Sequence, residues 1–308
     1  MIQFHALSDR KKGSLIAFIA TILFSNVYIF SKAALNEVSL PKFLFFWFLI
    51  AFSINVFISI LKGDAKKVKG LKLKEFRVFL LLGLIEIITT STFYIALKTI
   101  PDPSVTSFLG NMFVVFLVLL GVILLKERFT RMESLGVLIT IVGAFAVGYK
   151  GGSSIKNFFV AGTGIVLINT FTAALSSIIA KKALVKHSPT LINLNRTLFM
   201  FVFAFGYFIL SGETFYLPAS ALKNIIIGVI LGPILGILLI YTSYKYIEAS
   251  RSSVFQGLKG VFVVIGTYLY FSTFPNNIQL IGGLASIIGV LIMTLSKAKL
   301  LSWNKIRS

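Results

Sequence analysis

The sequence predicts an all-α integral membrane fold: ten transmembrane helices arranged as two inverted five-helix repeats. Three observations predict it. Only 13% of the 308 residues are charged and 57% are hydrophobic, with a mean hydropathy of +0.94; a soluble domain carries about twice that charged fraction. Apolar stretches recur along the chain at the length a bilayer-spanning helix needs, about 20 residues, without the alternation of a transmembrane barrel. Finally, segments of the first half reappear, in order, in the second.

The spans read as 13–33, 41–61, 76–98, 103–125, 134–149, 158–180, 191–211, 222–244, 252–271 and 277–296. Pro41, Pro101 and Pro103 stand at span entrances, where a missing N–H costs little. The longest connector runs from Lys62 to Glu75 and is charged. No segment has room for a separate nucleotide-binding domain, and no GxxxxGK[ST] phosphate loop occurs. The absence of cysteine excludes disulfides and thiolate metal sites. His5 and His187 lie outside the apolar runs. The first run lacks a cleavage pattern and reads as a retained signal anchor.

The net charge of +20 would suggest nucleic acid in a soluble protein. Here it marks topology, and no nucleic-acid partner is expected. With the N-terminus in the cytoplasm, 22 basic residues fall on the cytoplasmic side and six on the other, leaving Arg196 and Lys259 within spans. That asymmetry predicts an even span count and both termini inside, in a cell (plasma or inner) membrane.

Residues 135–147, LGVLITIVGAFAV, match 281–293, IGGLASIIGVLIM, at an offset of 146. Residues 94–100, YIALKTI, match 241–247, YTSYKYI, at 147, and 31–39, SKAALNEVS, match 180–188, AKKALVKHS, at 149. A slowly drifting offset is the mark of a diverged duplication, with repeats expected at 1–150 and 151–308. Five spans per repeat is an odd number, so the second copy enters the membrane inverted, an architecture of secondary transporters.

The stretch LLKERFTRMESLGVLITIVGAFAV (124–147) resembles the closing motif of the EamA domain of the drug/metabolite transporter superfamily. Glu127, Arg128, Gly136 and Gly143 match it, and Lys126 replaces the usual Gly. In the second half Gly282 and Gly289 match, while Thr273 stands in place of the Glu. Val114 and Gly260 fall near the usual fourth-helix prolines; an Arg usual in the second helix appears as Arg196 in one half and Trp47 in the other. The resemblance implies ten helices in two EamA-like repeats and a carrier of small metabolites.

A charge at bilayer centre costs roughly 2.5–3.5 kcal/mol on insertion scales and usually faces the bundle interior. Glu86 and Lys259 sit near the midpoints of spans 3 and 9, with opposite signs in opposite repeats. Glu86 and Thr90 share a helical stripe, as do Gln256 and Lys259, Ser107 and Asn111, Tyr28 with Ser25 and Thr21, and Asn169 with Thr172 and Ser176. The expected substrate-binding set is Glu86, Lys259, Gln256, Asn111, Asn169, Thr90, Tyr28 and Ser107. Alternatives stand beside it: hydroxyls bonding their own i−4 carbonyls, Asn111 and Asn169 as interhelical glue, and Glu86 with Lys259 as a structural ion pair. Arg196 reads as snorkelling to the cytoplasmic face or touching the cavity mouth. In span 8, Gly228, Gly232 and Gly236 allow close packing, and Pro233 predicts a kink.

These readings converge on a secondary active transporter working by alternating access on small polar metabolites. Amino acids or related amines, moved in the export direction, head the list; antiport of anionic solutes such as sugar phosphates or nucleotide-sugars is the alternative. An enzyme is not expected, since no Asp lies within a span and no His cluster exists. A channel would call for a ring of repeated polar loops. No cofactor or metal is expected. The partners are a small-molecule substrate, the lipid bilayer, and a proton or counter-solute; oligomeric state is not readable.

Overall fold

The computed structural model describes residues 8–64, 72–125, 130–150, 159–247, 252 and 255–306. Ten helical spans follow in order: α1 (Asp9–Glu37), α2 (Leu40–Leu61), α3 (Leu73–Thr99), α4 (Pro103–Leu124), α5 (Arg131–Gly148), α6 (Thr163–Ala183), α7 (Pro189–Leu210), α8 (Ala219–Tyr246), α9 (Phe255–Phe271) and α10 (Asn277–Ile306). The first eight are each long and apolar enough to cross a bilayer; in α9 and α10 the apolar stretches Phe255–Phe271 and Asn277–Met293 are shorter. The Glu127–Arg128 motif lies outside the described residues.

Local chemistry fixes the helix starts. Ser39 caps α2 by accepting from the Lys42 N–H, with Pro41 in the first turn. Ser188 caps α7 by accepting from the Leu191 N–H at 3.1 Å, with Pro189 at the first position. These two caps are the same device at an offset of 149. Asp102 caps α4 through the Ser104 N–H, and Thr130 with Glu133 forms a reciprocal capping box on α5.

The repeats meet most closely at α5 and α10. A Cβ added at Gly143 would stand 2.5 Å from the Gly282 carbonyl oxygen, and one at Gly136 would stand 2.6 Å from that of Gly289. The pairs cross over (136 with 289, 143 with 282) as a pseudo-two-fold between inverted copies requires. Helices α2 and α7 make a second symmetric pair. The remaining six form two clusters, α1 with α8 and α9, and α3 with α4 and α6. Each cluster thus mixes both repeats. They touch where Phe108 of α4 fills the space beside Gly260 of α9, with Gly283 of α10 also against the ring.

The Pro233 kink takes a specific form. Residues Ile230–Gly236 make a π-helical turn, and the Ile237 N–H bonds the Gly232 carbonyl five residues back. That leaves the Pro233 carbonyl without its usual acceptor role. The Asn193 side-chain amide fills it, donating to that oxygen at 2.7 Å and to Asn55 Oδ1 at 2.9 Å. Asn193 is fully buried, so this bond holds the bend where water cannot.

Candidate functional site

A cavity of about 140 Å³ lies between the two clusters. That is close to the volume that elsewhere admits one benzene-sized molecule (about 150 Å³). From the first cluster come Phe24 and Tyr28 of α1, Tyr241 and Tyr244 of α8, and Gln256 and Lys259 at the start of α9. From the second come Glu86, Thr90 and Phe93 of α3, Phe113 of α4, and Asn169 and Ser176 of α6. Arg196 enters from α7.

Six of the eight residues expected from the sequence are in this wall: Tyr28, Glu86, Thr90, Asn169, Gln256 and Lys259. Ser107 and Asn111 are not. Asn111 turns away from the cavity and donates to Ser286 Oγ on α10 at 2.7 Å; its neighbour Gly110 reaches the wall instead. Asn169 does both jobs, lining the cavity while its amide donates to the Thr89 carbonyl at 2.7 Å. The hydroxyls of Thr21 and Ser25 bond the carbonyls of Ala17 and Thr21, the self-satisfied arrangement rather than cavity lining.

The alternative reading of Glu86 and Lys259 as a structural ion pair is not what the structure forms. Glu86 is paired with Arg196, whose Nε donates to Oε1 at 2.5 Å. Arg196 does not snorkel: its side chain is 11% exposed and that of Glu86 is 9% exposed. Thr90 completes the cluster, donating to Glu86 Oε1 at 2.6 Å and accepting from Arg196 Nη2 at 3.2 Å. Periodicity placed Arg196 only one turn inside its span. The signal that would have found it was electrostatic: one acid needs one base, and two were within reach.

Lys259 is left without a carboxylate among the described residues. Its ammonium lies 5.4 Å from the Phe24 ring centroid and 5.9 Å from that of Tyr28, within cation–π range. Two further donors are buried without a partner among the described residues, Arg196 Nη1 and Gln256 Nε2. With Glu86 and Arg196 cancelling, the wall carries one unbalanced positive charge and spare N–H donors beside aromatic rings. It can hold an anionic group at one end and an apolar body along the rings. The described residues contain no group of His, Asp or Glu suited to a metal ion.

A family model described as "EamA-like transporter family" matches residues 11–149 and again 160–295. The chain belongs to the EamA-like transporter family. This EamA-like protein also superimposes on a solved structure, described only as "Crystal structure of protein", with a TM-score of 0.68 and 17% identity, over 94% of this chain and 99% of that one. That likeness is one of fold. No curated protein sequence matches the chain. As a member of the family it is a membrane transporter of the drug/metabolite type, built from two matched repeats.

Proposed function

We propose that this EamA-like protein is a secondary carrier for a small organic anion, worked by alternating access and favouring exchange of one anion for another. The observation that carries the reading is the charge balance of the cavity: Arg196 satisfies Glu86, while Lys259 faces two aromatic rings and no acid among the described residues. A carboxylate or phosphate oxygen presented to Lys259 and Gln256 would neutralise the site and satisfy a buried donor. A primary amine would add a second positive charge. A zwitterionic amino acid ranks between the two, since its carboxylate suits Lys259 but its ammonium must compete with Arg196 for Glu86.

The same imbalance favours exchange. Closing an empty cavity around an unpaired cation costs several kcal/mol, so reorientation is easier with an anion aboard. The positive-inside pattern supports a cell membrane with both termini in the cytoplasm. The test is uptake into liposomes by purified protein, across a panel of short carboxylates, phosphate esters, amino acids and amines. The expected result is saturable uptake of a carboxylate or phosphate ester, accelerated by the same anion inside and lost in Lys259→Gln. Uptake of amines with no uptake of anions overturns the reading.

A further inference from the structure

The lysine at the end of α1 and the lysine at the end of α6 occupy matched places and do the same thing. Lys32 is buried and donates from Nζ to the carbonyls of Leu97 at 2.8 Å and Ile100 at 2.9 Å, the last turn and cap of α3. Lys181 donates from Nζ to the carbonyls of Tyr244 and of Ile247, the latter at 3.0 Å, the last turn and cap of α8. The offsets are those of the sequence repeat. Lys32 and Lys181 stand at corresponding places in the segments related by 149, and Leu97 and Ile100 correspond to Tyr244 and Ile247 at 147. A helix C-terminus leaves carbonyls unsatisfied and carries partial negative charge, so an ammonium there is held by charge as well as by hydrogen bonds.

What each contact joins is the decisive point. Helix α1 belongs to the cluster of α8 and α9, and α3 to the cluster of α4 and α6. Lys32 therefore ties one cluster to the other across the cavity. Lys181, on α6, ties them again through α8. In a ten-span chain the ends of α1 and α3 lie on the face opposite the termini, and the ends of α6 and α8 lie on the face that carries the termini. The cavity stands between these two ties.

We infer that Lys32 and Lys181 are paired gate latches, one at each end of the transport path, and that opening to a face requires its own latch to leave the helix end it caps. The inversion of the repeat turns one device into two, placed oppositely. Both latches are fastened in this structure, so the two clusters are tied at both ends. Release of Lys32 with Lys181 engaged lets the clusters part on the far face and pivot on the near one; the reverse opens the near face. This rests on the alternating-access reading but needs no knowledge of the cargo.

The test uses the absence of native cysteine. Ala173 lines the cavity from α6, so Ala173→Cys reports access to it. In oriented proteoliposomes, the rate of modification by a membrane-impermeant thiol reagent is measured from each face. Lys32→Met is expected to raise the rate from the far face on the order of tenfold and not from the terminal face, by shifting the population toward one open state. Lys181→Met is expected to do the converse, and Lys→Arg at either place, which keeps a cationic donor, to restore slow modification. Unchanged rates from both faces, or both variants accelerating access from the same face, overturn the inference. Where a Met variant is not monodisperse in detergent, the Gln variant, which keeps a neutral donor on a shorter arm, carries the same comparison. Because modification is read without cargo, a failure here is distinct from a failure to find a transported anion.

Discussion

Arg196 of α7 and Glu86 of α3 form a 2.5 Å ion pair that joins the second repeat to the first inside the bundle. The matching place in the inverted copy holds no charge. An offset of 149 carries Arg196 back to Trp47, and an offset of 147 carries Glu86 forward to Pro233. Trp47 is fully buried beside Gly228 and Gly232. A ring over two small residues fills in one half the role that acid and base play in the other. The two matched positions thus differ in chemistry, and the charged one lines the cavity described above.

That pair should show strong coupling. Arg196→Met leaves a buried carboxylate without its partner, and removing one member of a buried pair costs on the order of 3 kcal/mol or more. Glu86→Gln should cost less, because the neutral amide can still accept from Thr90. The double variant Glu86→Gln/Arg196→Met should recover part of the loss. Thermal unfolding of the four proteins in one detergent measures the cycle; strictly additive losses would contradict an engaged pair.

Lys259 should behave in the opposite way. A half-buried cation that faces two rings, with no acid beside it among the described residues, is a net burden on the ligand-free fold. Lys259→Met is expected to raise the melting temperature of the empty protein. It should also abolish the further rise that a bound anion gives the native protein by mass action. A scan with and without saturating anion separates the two effects. A variant that is both less stable when empty and still protected by anion would show that Lys259 has a structural role instead.

The fold was largely legible because lipid imposes a strong rule on sequence. Ten apolar runs, the basic-residue asymmetry and three matched segments each report something periodic or repeated along the chain. The wall residues Glu86, Thr90, Gln256 and Lys259 were legible for the same reason, since Glu86 with Thr90 and Gln256 with Lys259 each make a polar stripe around a charge within a span. What helical periodicity does not contain is the rotation of one helix against its neighbour. Ser107 and Asn111 share a stripe as convincing as the others, yet Asn111 points to Ser286 on α10. Partner choice was equally invisible. Glu86 had two candidate bases, and only the placement of α7 against α3 decides for Arg196 over Lys259.

Asn193 and Pro233 give a third prediction. The π turn frees the Pro233 carbonyl, and the Asn193 amide is what answers it. Asn193→Leu should therefore cost about 1–3 kcal/mol, the penalty of a buried unsatisfied acceptor. In a Pro233→Ala background the helix can resume its ordinary bonding, and the same Asn193→Leu change should cost clearly less. Equal losses in the two backgrounds, measured by thermal or denaturant unfolding, would mean that Asn193 acts through Asn55 alone.

The seam between α5 and α10 supplies a prediction with its own control. At Gly143 the atoms nearest an added methyl group are all backbone, and at Gly136 they are backbone together with the Met293 side chain, so a methyl group cannot be accepted by moving a side chain alone. A Cβ at Gly143 falls 2.5 Å from the Gly282 carbonyl oxygen and 2.6 Å from the Ser286 nitrogen, well inside contact distance. The helices must separate to accept it. Overpacking of this kind costs about 1–3 kcal/mol, and in lipid, where close approach itself drives association, the loss falls on the joint between the two repeats. Gly164 on α6 has nothing within 4 Å of an added Cβ, and alanine there should be neutral or stabilising by up to about 1 kcal/mol through helix propensity. Gly143→Ala, Gly136→Ala and Gly164→Ala can be compared by melting temperature in one detergent. Separation of the first two from the third is the expected pattern. If all three melt together, the close α5–α10 approach is not what holds the inverted repeats to one another.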